Sequence, residues 1–359
     1  MQNLKEFERG FFLVQISTKP NIKTISTLTG FSTATISNAL NGKRGVKHET
    51  MEKILSVAKE IGYVNQSDTN KLRFIVFRVP GGKFAESPVL ASAMQGAEKV
   101  CSRHGFEVSV IYLDTNSIHY HQELDGILND RSHGIVIMGS EAVESEIMKF
   151  KESNLPLVLI DYWLDDMDIE CVINNGKDSI KRIVDYLIGK GHKEIGYFRA
   201  KLRAYPFRER GDALEENLNR HGISLKEKYI CDIGWSYESS YESVREWLEG
   251  KPGLPTAFFA DNDFMAMGAI RAMQEMGIRI PEDVSIVGFD NVAMSDVIIP
   301  KLTTIQIEPE LLGEIAAEKI ISAVKDPFRI KSKVVVATSF VERDSVATPR
   351  TYDMKGVLI

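Results

Sequence analysis

The sequence has few cysteines and no long apolar run. Its three cysteines, Cys101, Cys171 and Cys231, lie far apart and form no Cys-x-x-Cys pair, which is typical of reduced thiols. No apolar segment reaches membrane-spanning length, and the short apolar run 11–14 lacks a small-residue cleavage site. We therefore expect a cytoplasmic protein with no export signal and no membrane contact.

Motifs for catalysis, phosphate binding and metal binding are also absent from the sequence. Gly81 and Gly82 follow a predicted strand without the spacing of a phosphate-binding loop, and no serine nucleophile elbow is present. His119 and His121 lie in a polar stretch that offers no further metal ligands, and we expect that stretch to be a solvated loop. We expect no cofactor, no metal and no enzymatic activity.

Charge is distributed unevenly along the chain. Residues 1–63 contain nine basic and five acidic side chains, a net charge of +4, whereas the remainder contains 35 basic and 45 acidic side chains, a net charge of −10. A basic segment attached to an acidic body is typical of a nucleic-acid-binding module joined to a domain that stays off DNA.

The basic segment predicts three short helices. Apolar residues repeat at helical spacing over 22–28 and again over 51–61. Gly30 supplies the backbone freedom of a tight turn, and the Ser32 hydroxyl is a suitable N-cap for the second helix. Three such helices around one small core predict a helix-turn-helix domain over residues 21–63.

The second of these helices has two different faces. Ile36, Ala39 and Leu40 are expected to face the core. The opposite face carries only small or hydrogen-bonding side chains: Thr33, Ala34, Thr35, Ser37, Asn38 and Asn41. Such a face is equally typical of solvated surface, but the charge of the segment favours close approach to bases and phosphates.

After the basic segment, short β-branched strands alternate with helices. Strands are predicted over 74–77, 107–111, 134–138, 157–160, 194–198, 257–260 and 284–289. This alternation indicates parallel sheets covered on both faces, and it restarts with a helix at residue 177. We expect two successive α/β lobes with a ligand cleft between the carboxyl ends of their strands.

Polar side chains follow three of the predicted strands. Asp161 follows the strand over 157–160, the run Asp261, Asn262 and Asp263 follows 257–260, and Asp290 with Asn291 follows 284–289. An aspartate in such a position often caps the next helix. Three such loops together favour a site for a polar ligand in the cleft.

Residues 21–63 resemble the head of the lactose-repressor (LacI/GalR) family. Residues 191–197, 260–268, 281–290, 300–304 and 341–345 resemble effector-domain motifs of the same family, so the resemblance covers about 21–346. It implies an α/β fold with an N-terminal three-helix helix-turn-helix head and a two-lobed, periplasmic-binding-protein-like (type I) effector domain with parallel sheets.

The resemblance also implies which residues contact DNA. Thr33, Ala34 and Asn38 are expected to face bases, and the residues expected to hold phosphates are Ser32, Thr35, Ser37, Asn41 and Thr50. Many family members have Arg at the position of Asn38. Since Asn pairs with adenine and Arg prefers guanine, we expect an operator that differs from the usual family half-site.

A further implication of the resemblance is a sugar site. Its hydroxyl-binding groups are expected to be Asp161, Arg208, Asn262 and Asp290, and its stacking ring Trp235. Carboxylates and guanidinium groups can each engage two neighbouring hydroxyls, and an indole packs on the C–H face of a pyranose. Trp235 could instead be an ordinary packed aromatic, and Arg208 could pair with a neighbouring carboxylate.

We expect five segments: an extension 1–20, the head 21–63, a short atypical linker 64–73, an effector-binding and dimerisation domain 74–346 and a tail 347–359. Lobe 1 is expected over about 74–172 plus 305–335, and lobe 2 over about 173–304 plus 336–346. The departure of the linker from the family pattern leaves open whether it forms a hinge helix.

These features predict a homodimeric transcriptional repressor whose affinity for double-stranded operator DNA is controlled by a small ligand, a sugar, in the cleft. One alternative is a purine or other metabolite sensor of the same fold. A solute-binding protein is the other, although it would need an export signal and would not need a basic head.

Overall fold

The computed structural model describes residues 20–40, 45–61, 63, 70–78, 87–130, 132–153, 155–165, 169–326 and 329–350. Contacts divide these residues into two compact units: one holds those up to 63 with 323–326 and 329, and the other holds 70–322 and 330–350. Most of the expected extension and most of the expected linker lie outside the described residues. No helix in the described part of the chain is long and apolar enough to cross a membrane.

The first unit contains three helices: α1 (Ile22–Thr29), α2 (Thr33–Leu40) and α3 (His48–Glu60). Asn21 begins α1 with a capping box, and Gly30 ends it with a left-handed φ of 77°. The buried core of the unit consists of Ile25, Ile36, Ala39, Ile54 and Ala58. These positions confirm the predicted helix order and the predicted inner face of α2.

The apolar repeat over 22–28 does not coincide fully with the buried face of α1. Leu28 is 55% exposed, and Thr29 is buried in its place. Ile25 and Thr29 are four residues apart and share one helix face, whereas Leu28 lies to the side of that face. The Thr29 hydroxyl donates a 2.7 Å hydrogen bond to the Ile25 carbonyl, which satisfies it inside the core.

The second unit begins with a parallel six-stranded sheet. In chain order its elements are β1 (Lys71–Arg78), α4 (Pro88–Arg103), β2 (Glu107–Asp114), α5 (Tyr120–Asn129), β3 (His133–Met138), α6 (Glu144–Glu152), β4 (Leu157–Ile160) and β5 (Glu170–Asn174). A late strand, β11 (Val334–Val336), completes the order β11-β5-β4-β3-β1-β2. Residues 71–73, expected in the linker, therefore belong to β1, and His121, expected in a loop, lies in α5.

A parallel four-stranded sheet follows in the order β7-β6-β8-β9. Its elements are α7 (Gly176–Gly189), β6 (Ile195–Ala200), α8 (Tyr205–Arg220), β7 (Ile230–Ile233), α9 (Tyr237–Glu249), β8 (Ala257–Ala260), α10 (Asp263–Glu275) and β9 (Ser285–Val287). The chain then forms β10 (Thr304–Gln306), α11 (Pro309–Lys325), β11 and β12 (Ser339–Val341), with β10 and β12 paired antiparallel. This α/β architecture confirms the predicted fold class, while the exact lobe boundaries stay a prediction.

Each parallel sheet is packed on both of its faces. On the six-stranded sheet, Phe77 of β1 contacts Phe150 of α6 edge to face, with ring centroids 6.3 Å apart. On the four-stranded sheet, one apolar cluster includes residues of α9 and α10 and another includes residues of α7 and α8. Burial on both faces explains why the strands read as continuous apolar runs. Their carboxyl ends carry the loops that form the site.

Helices α4 and α11 pack closely because glycines face the partner backbone. A Cβ atom added to Gly96 would overlap the Glu310 carbonyl oxygen, and one added to Gly313 would overlap the Ala93 carbonyl oxygen. Lys99 of α4 also pairs with Glu314 of α11 at 2.6 Å, but this ion pair is largely exposed. The close approach therefore depends on the glycines.

We expect Gly313→Ala to lower the free energy of unfolding by about 1–3 kcal/mol, because the added methyl group must push α4 away. Gly126→Ala is the matched control, since Gly126 also lies in a helix and nothing is within 4 Å of its added Cβ. That control should gain up to about 1 kcal/mol from helix propensity. Unfolding in urea measures the free energy of unfolding of both variants. An equal increase in the two variants would contradict the role of Gly313 in packing.

Candidate functional site

Helix α2 begins with a hydrogen-bonded N-cap, which holds the first turn of its exposed face. Ser32 accepts a 3.0 Å hydrogen bond from the Thr35 amide, which confirms it as a capping residue. The Ser32 and Thr35 hydroxyls are also 2.8 Å apart. Thr33 and Ala34, which follow the cap directly, are exposed. The cap therefore fixes the first turn of α2 while these two side chains stay accessible.

The other predicted DNA contacts are less exposed. Thr35, Ser37 and Asn38 of α2 and Thr50 of α3 are half-buried, and Asn41 lies outside the described residues. Asn38 and Ala34 are four residues apart and lie on the same helix face. A short face of this kind, with small side chains around one amide, has the size and chemistry of a helix that enters a major groove.

A cavity of about 290 Å³ lies where the carboxyl ends of the two parallel sheets face each other. Loops after β3 and β4 supply one side, and loops after β6, β7, β8 and β9 supply the other. Its polar lining residues are Ser87, Ser140, Glu141, Asp161, Arg210, Ser236, Glu238, Asn262 and Asp290, and its aromatic ones Phe207, Trp235, Tyr237 and Phe264. Four of the five predicted ligand residues are therefore brought together.

Asp290 and Arg210 form the charged centre of this cavity. The Arg210 guanidinium is 3.3 Å from Asp290 Oδ1, and both side chains are largely buried. Arg210 also donates to the Asp261 carbonyl and lies 3.7 Å from the centroid of the Phe289 ring. Burial raises the pKa of Asp290 to about 7, although the Arg210 charge opposes that rise. The carboxyl group therefore titrates near neutral pH.

Asp161, which follows β4 of the six-stranded sheet, faces Arg210 of α8. Its Oδ1 accepts a 3.3 Å hydrogen bond from Asn174 Nδ2, and its backbone amide donates to the Val172 carbonyl at 3.0 Å. Burial raises the pKa of Asp161, while Arg210 and Asn174 lower it. Its φ of 54° turns the chain sharply at the end of β4.

Asn262 combines two roles. Its Oδ1 accepts a 2.8 Å hydrogen bond from the Met265 amide and so caps α10. Its Nδ2 donates to the Trp235 carbonyl at 3.2 Å and links the loops after β8 and β7. Asn262 thus lines the cavity while part of its hydrogen-bonding capacity holds the protein together.

The aromatic wall is formed by side chains from two loops. Trp235 packs near Phe207 with ring centroids 6.5 Å apart and an interplanar angle of 54°. Both rings are half-buried and line the cavity. Their exposed surface offers apolar contact to a ring-shaped ligand beside the carboxylates.

The structure does not place Arg208 among the residues that line the cavity. Arg208 is exposed and lies near Tyr162, where it opposes the rise in the Tyr162 pKa that burial causes. Arg208 and Arg210 are two residues apart in α8, so their side chains point in nearly opposite directions. Arg210 shares the cavity face with Phe207, and it was not predicted as a ligand residue although the periodicity of α8 indicates it.

Three other loop residues serve the fold rather than the cavity. Asp261 accepts from the Tyr197 hydroxyl at 2.6 Å and from the Ala200 amide at 2.8 Å. Asp263 accepts from the Val292 amide and from the hydroxyls of Ser295 and Thr304, at 2.9, 2.6 and 2.6 Å. Asn291 donates to Gln306 Oε1 at 2.5 Å. These three side chains lie in the loops predicted to supply a ligand site, but the protein itself satisfies them and they do not line the cavity.

The sequence analysis missed several cavity residues besides Arg210. Ser140 and Glu141 lie in a short 3-10 turn directly after β3, and Tyr237 and Glu238 begin α9 after β7. The strand-end rule that singled out Asp161 would also find the first pair. Strand β7 was not predicted, so the loop after it had no assigned position.

Comparison with known proteins agrees with this architecture. Residues 21–66 match the family model for bacterial regulatory proteins of the lacI family, and residues 184–346 match a periplasmic binding protein-like domain. A curated relative, the probable HTH-type transcriptional repressor ExuR of Bacillus subtilis (strain 168), is 28% identical over 332 residues, covering 90% of this chain and 98% of the relative.

Two solved structures share the fold. A complex of the transcriptional regulator CelR with cellobiose has a TM-score of 0.70 at 22% identity and covers 91% of this chain and 99% of its own. The lac repressor dimer bound to operator and the anti-inducer ONPF has a TM-score of 0.69 at 22% identity, with 92% and 100% covered. The chain belongs to the LacI/GalR family of transcriptional regulators.

Proposed function

We propose that the protein is a homodimeric repressor that binds operator DNA through α2 and is controlled by a sugar in the cavity between the two parallel sheets. The observation that carries the ligand proposal is the composition of that cavity. Carboxylates from both sheets, Asp161 and Asp290, lie beside a guanidinium, Arg210, and an indole, Trp235. Hydroxyl groups and an apolar ring face are the ligand features that these groups accommodate.

The fold shared with a cellobiose-bound regulator supports a carbohydrate ligand. The cavity volume of about 290 Å³ lies at the lower end of the range for small-molecule sites, so we propose a small sugar. The residues that contact it are proposed to be Asp161, Arg210, Trp235, Asn262 and Asp290.

The proposed control is a population shift. The cavity wall comes from both sheets, so a ligand that contacts Asp161 on one side and Asp290 on the other favours the conformation that brings the two closest. In a homodimer, such a change alters the spacing of two heads. Half-sites lie about one helical turn apart, so only one spacing allows both heads to bind.

The DNA-binding proposal rests on the exposed polar face of α2 and on the net charge of +4 over residues 1–63. The lac repressor dimer bound to operator, which shares the fold, supports pairing of two chains on one duplex. Because Asn pairs with adenine, Asn38 is proposed to read an A·T pair.

A thermal-shift screen against neutral sugars, sugar phosphates and purines tests the ligand proposal, since a ligand that binds the native state raises the melting temperature. We expect a neutral sugar to raise it and Trp235→Ala to abolish the shift. Trp163→Ala is the control, because the half-buried Trp163 does not line the cavity. A Trp235-dependent shift with a purine alone would keep the regulator and overturn the sugar.

Asn38→Ala tests the DNA proposal. Duplexes enriched from a random library by the unsubstituted protein provide the specific probe, and scrambled duplexes the non-specific one. We expect the variant to lose about 1–3 kcal/mol of affinity for the enriched duplex and to bind scrambled DNA normally. Fluorescence anisotropy at several salt concentrations measures both, and the mass of the complex counts chains per duplex.

Asn116→Ala, an exposed change in the second unit, is the matched control and should leave both affinities unchanged. Equal losses on enriched and scrambled duplexes would instead make Asn38 a phosphate contact.

The titration of Asp290 predicts a pH-dependent stability. The charged groups that face it are Arg210, Asp161 and Asp263, and burial raises its pKa to about 7. Between about pH 4 and 7 the native protein then holds a proton that the unfolded chain has lost, so this contribution to stability falls as the pH rises. Asp290→Asn removes the titration, and its melting temperature should rise relative to the unsubstituted protein between pH 5 and 8.

In a domain of this size, a change of 1 kcal/mol in the free energy of unfolding shifts the melting temperature by roughly 2–4 °C. Asp232→Asn is the control: the Arg199 side chain lowers the pKa of the exposed Asp232, so that carboxylate stays ionised over the whole interval. Parallel pH curves for Asp290→Asn and the unsubstituted protein would contradict the titration.

A further inference from the structure

The cavity contains more hydrogen-bond acceptors than donors. Among the described residues that line it, Arg210 carries the only cationic side chain, whereas Glu141, Asp161 and Asp290 contribute largely buried carboxylates and Glu238 an exposed one. Arg210 is already engaged by Asp290 and by the Asp261 carbonyl. A carboxylate or phosphate on a ligand would therefore compete with Asp290 for the same guanidinium.

A second, smaller cavity extends this imbalance. It has a volume of about 10 Å³ and is lined by Asp161, Asn174, Glu209 and Arg210 among others. Asn174 is 6% exposed, and its Oδ1 has no hydrogen-bond partner among the described residues. Its Nδ2 is already used by Asp161. An unpartnered buried carbonyl oxygen is costly, and a cavity of this size accommodates about one water molecule, whose O–H group would satisfy that oxygen.

Electrostatic repulsion, like the excess of hydrogen-bond acceptors, disfavours a negatively charged ligand. Burial strengthens the interaction between charges because the surroundings screen them less. An added negative group would lie among Asp161, Glu209 and Asp290, which line two adjoining cavities whose described residues share Arg210 as their cation. It would repel each of these carboxyls that is ionised and would raise the pKa of Asp290, already about 7, still further. A hydroxyl or ammonium group meets acceptors that it can satisfy.

We infer that the effector carries no negative charge and binds as a hydrogen-bond donor, either as a neutral polyhydroxyl compound or as its amino derivative. This inference deepens the proposed function and rests on the same cavity. It separates the ligand from uronic acids and sugar phosphates, which have the same ring but an anionic group.

Isothermal titration with matched sugars tests the inference. One series is glucose, glucosamine, glucuronate and glucose 6-phosphate, and the second is the corresponding galactose set. We expect binding by a neutral sugar or its amine and at least about tenfold weaker binding by the matched acid and phosphate, a difference of about 1.4 kcal/mol. Tighter binding by an acid or a phosphate would overturn the inference.

Fluorescence quenching tests the inference without any knowledge of the effector. The signal that Trp235→Phe removes reports on Trp235, and caesium and iodide ions are the probes at constant ionic strength. Each ion's quenching is divided by its quenching of free N-acetyltryptophanamide, because iodide is intrinsically the more efficient quencher of indole. We expect the normalised quenching by caesium to exceed that by iodide, because acidic side chains repel an anion from the cavity. Equal or stronger normalised quenching by iodide would overturn the inference.

Two variants locate the source of the difference. Asp290→Asn should reduce the ratio of caesium to iodide quenching, whereas Asp232→Asn should leave it unchanged because Asp232 does not line the cavity. The quenching result is independent of whether any sugar binds. If adenosine binds and no sugar does, the sugar proposal fails. The charge inference still stands in that case if adenosine 5′-monophosphate binds at least tenfold more weakly than adenosine.

Discussion

The buried carboxylate of Asp263 is the constraint on which the ligand cavity depends. It begins α10, yet it accepts hydrogen bonds from Val292, Ser295 and Thr304, all on the chain that follows β9. These bonds hold that chain while Asp290 adopts a φ of 113°, a conformation that L-residues rarely adopt. Burial raises the pKa of Asp263 to about 6 even though three donors lower it, which indicates how strongly it is desolvated.

A second buried carboxylate, that of Asp261 two residues earlier, also holds neighbouring elements together. Asp261 ties β8 to β6 through Tyr197 and the Ala200 amide, while its carbonyl accepts from Arg210 of α8. Asn262 stands between these two fixed residues and links α10 to the Trp235 loop. This loop therefore positions Arg210, Trp235 and Asp290, while its own buried carboxylates do not line the cavity.

The sequence predicted most elements of the fold because strands buried on both faces appear as short apolar runs. It also placed Asp161, Asn262 and Asp290 in the loops that follow predicted strands. What it could not separate is an aspartate that faces a cavity from one that hydrogen-bonds the next loop, because Asp261 and Asp290 each come directly after a predicted strand. The difference lies in partners such as Tyr197, which are distant in sequence. Arg208 does not line the cavity for a reason that lies within one helix: Arg208 and Arg210 are 200° apart around α8, so they cannot both face the cavity.

The division between satisfied and unsatisfied polar groups also explains how such a cavity can be selective. Groups such as Asp263 that the protein satisfies completely hold the geometry, and a ligand gains nothing from them. Recognition of the proposed ligand then depends on the few acceptors with remaining capacity, such as the carboxylates of Asp161 and Asp290 that line the cavity. A ligand that lacks the matching donor leaves those groups desolvated and unpaired, and the resulting penalty exceeds the gain from one good hydrogen bond. Selectivity in this cavity thus comes from the cost of the wrong ligand.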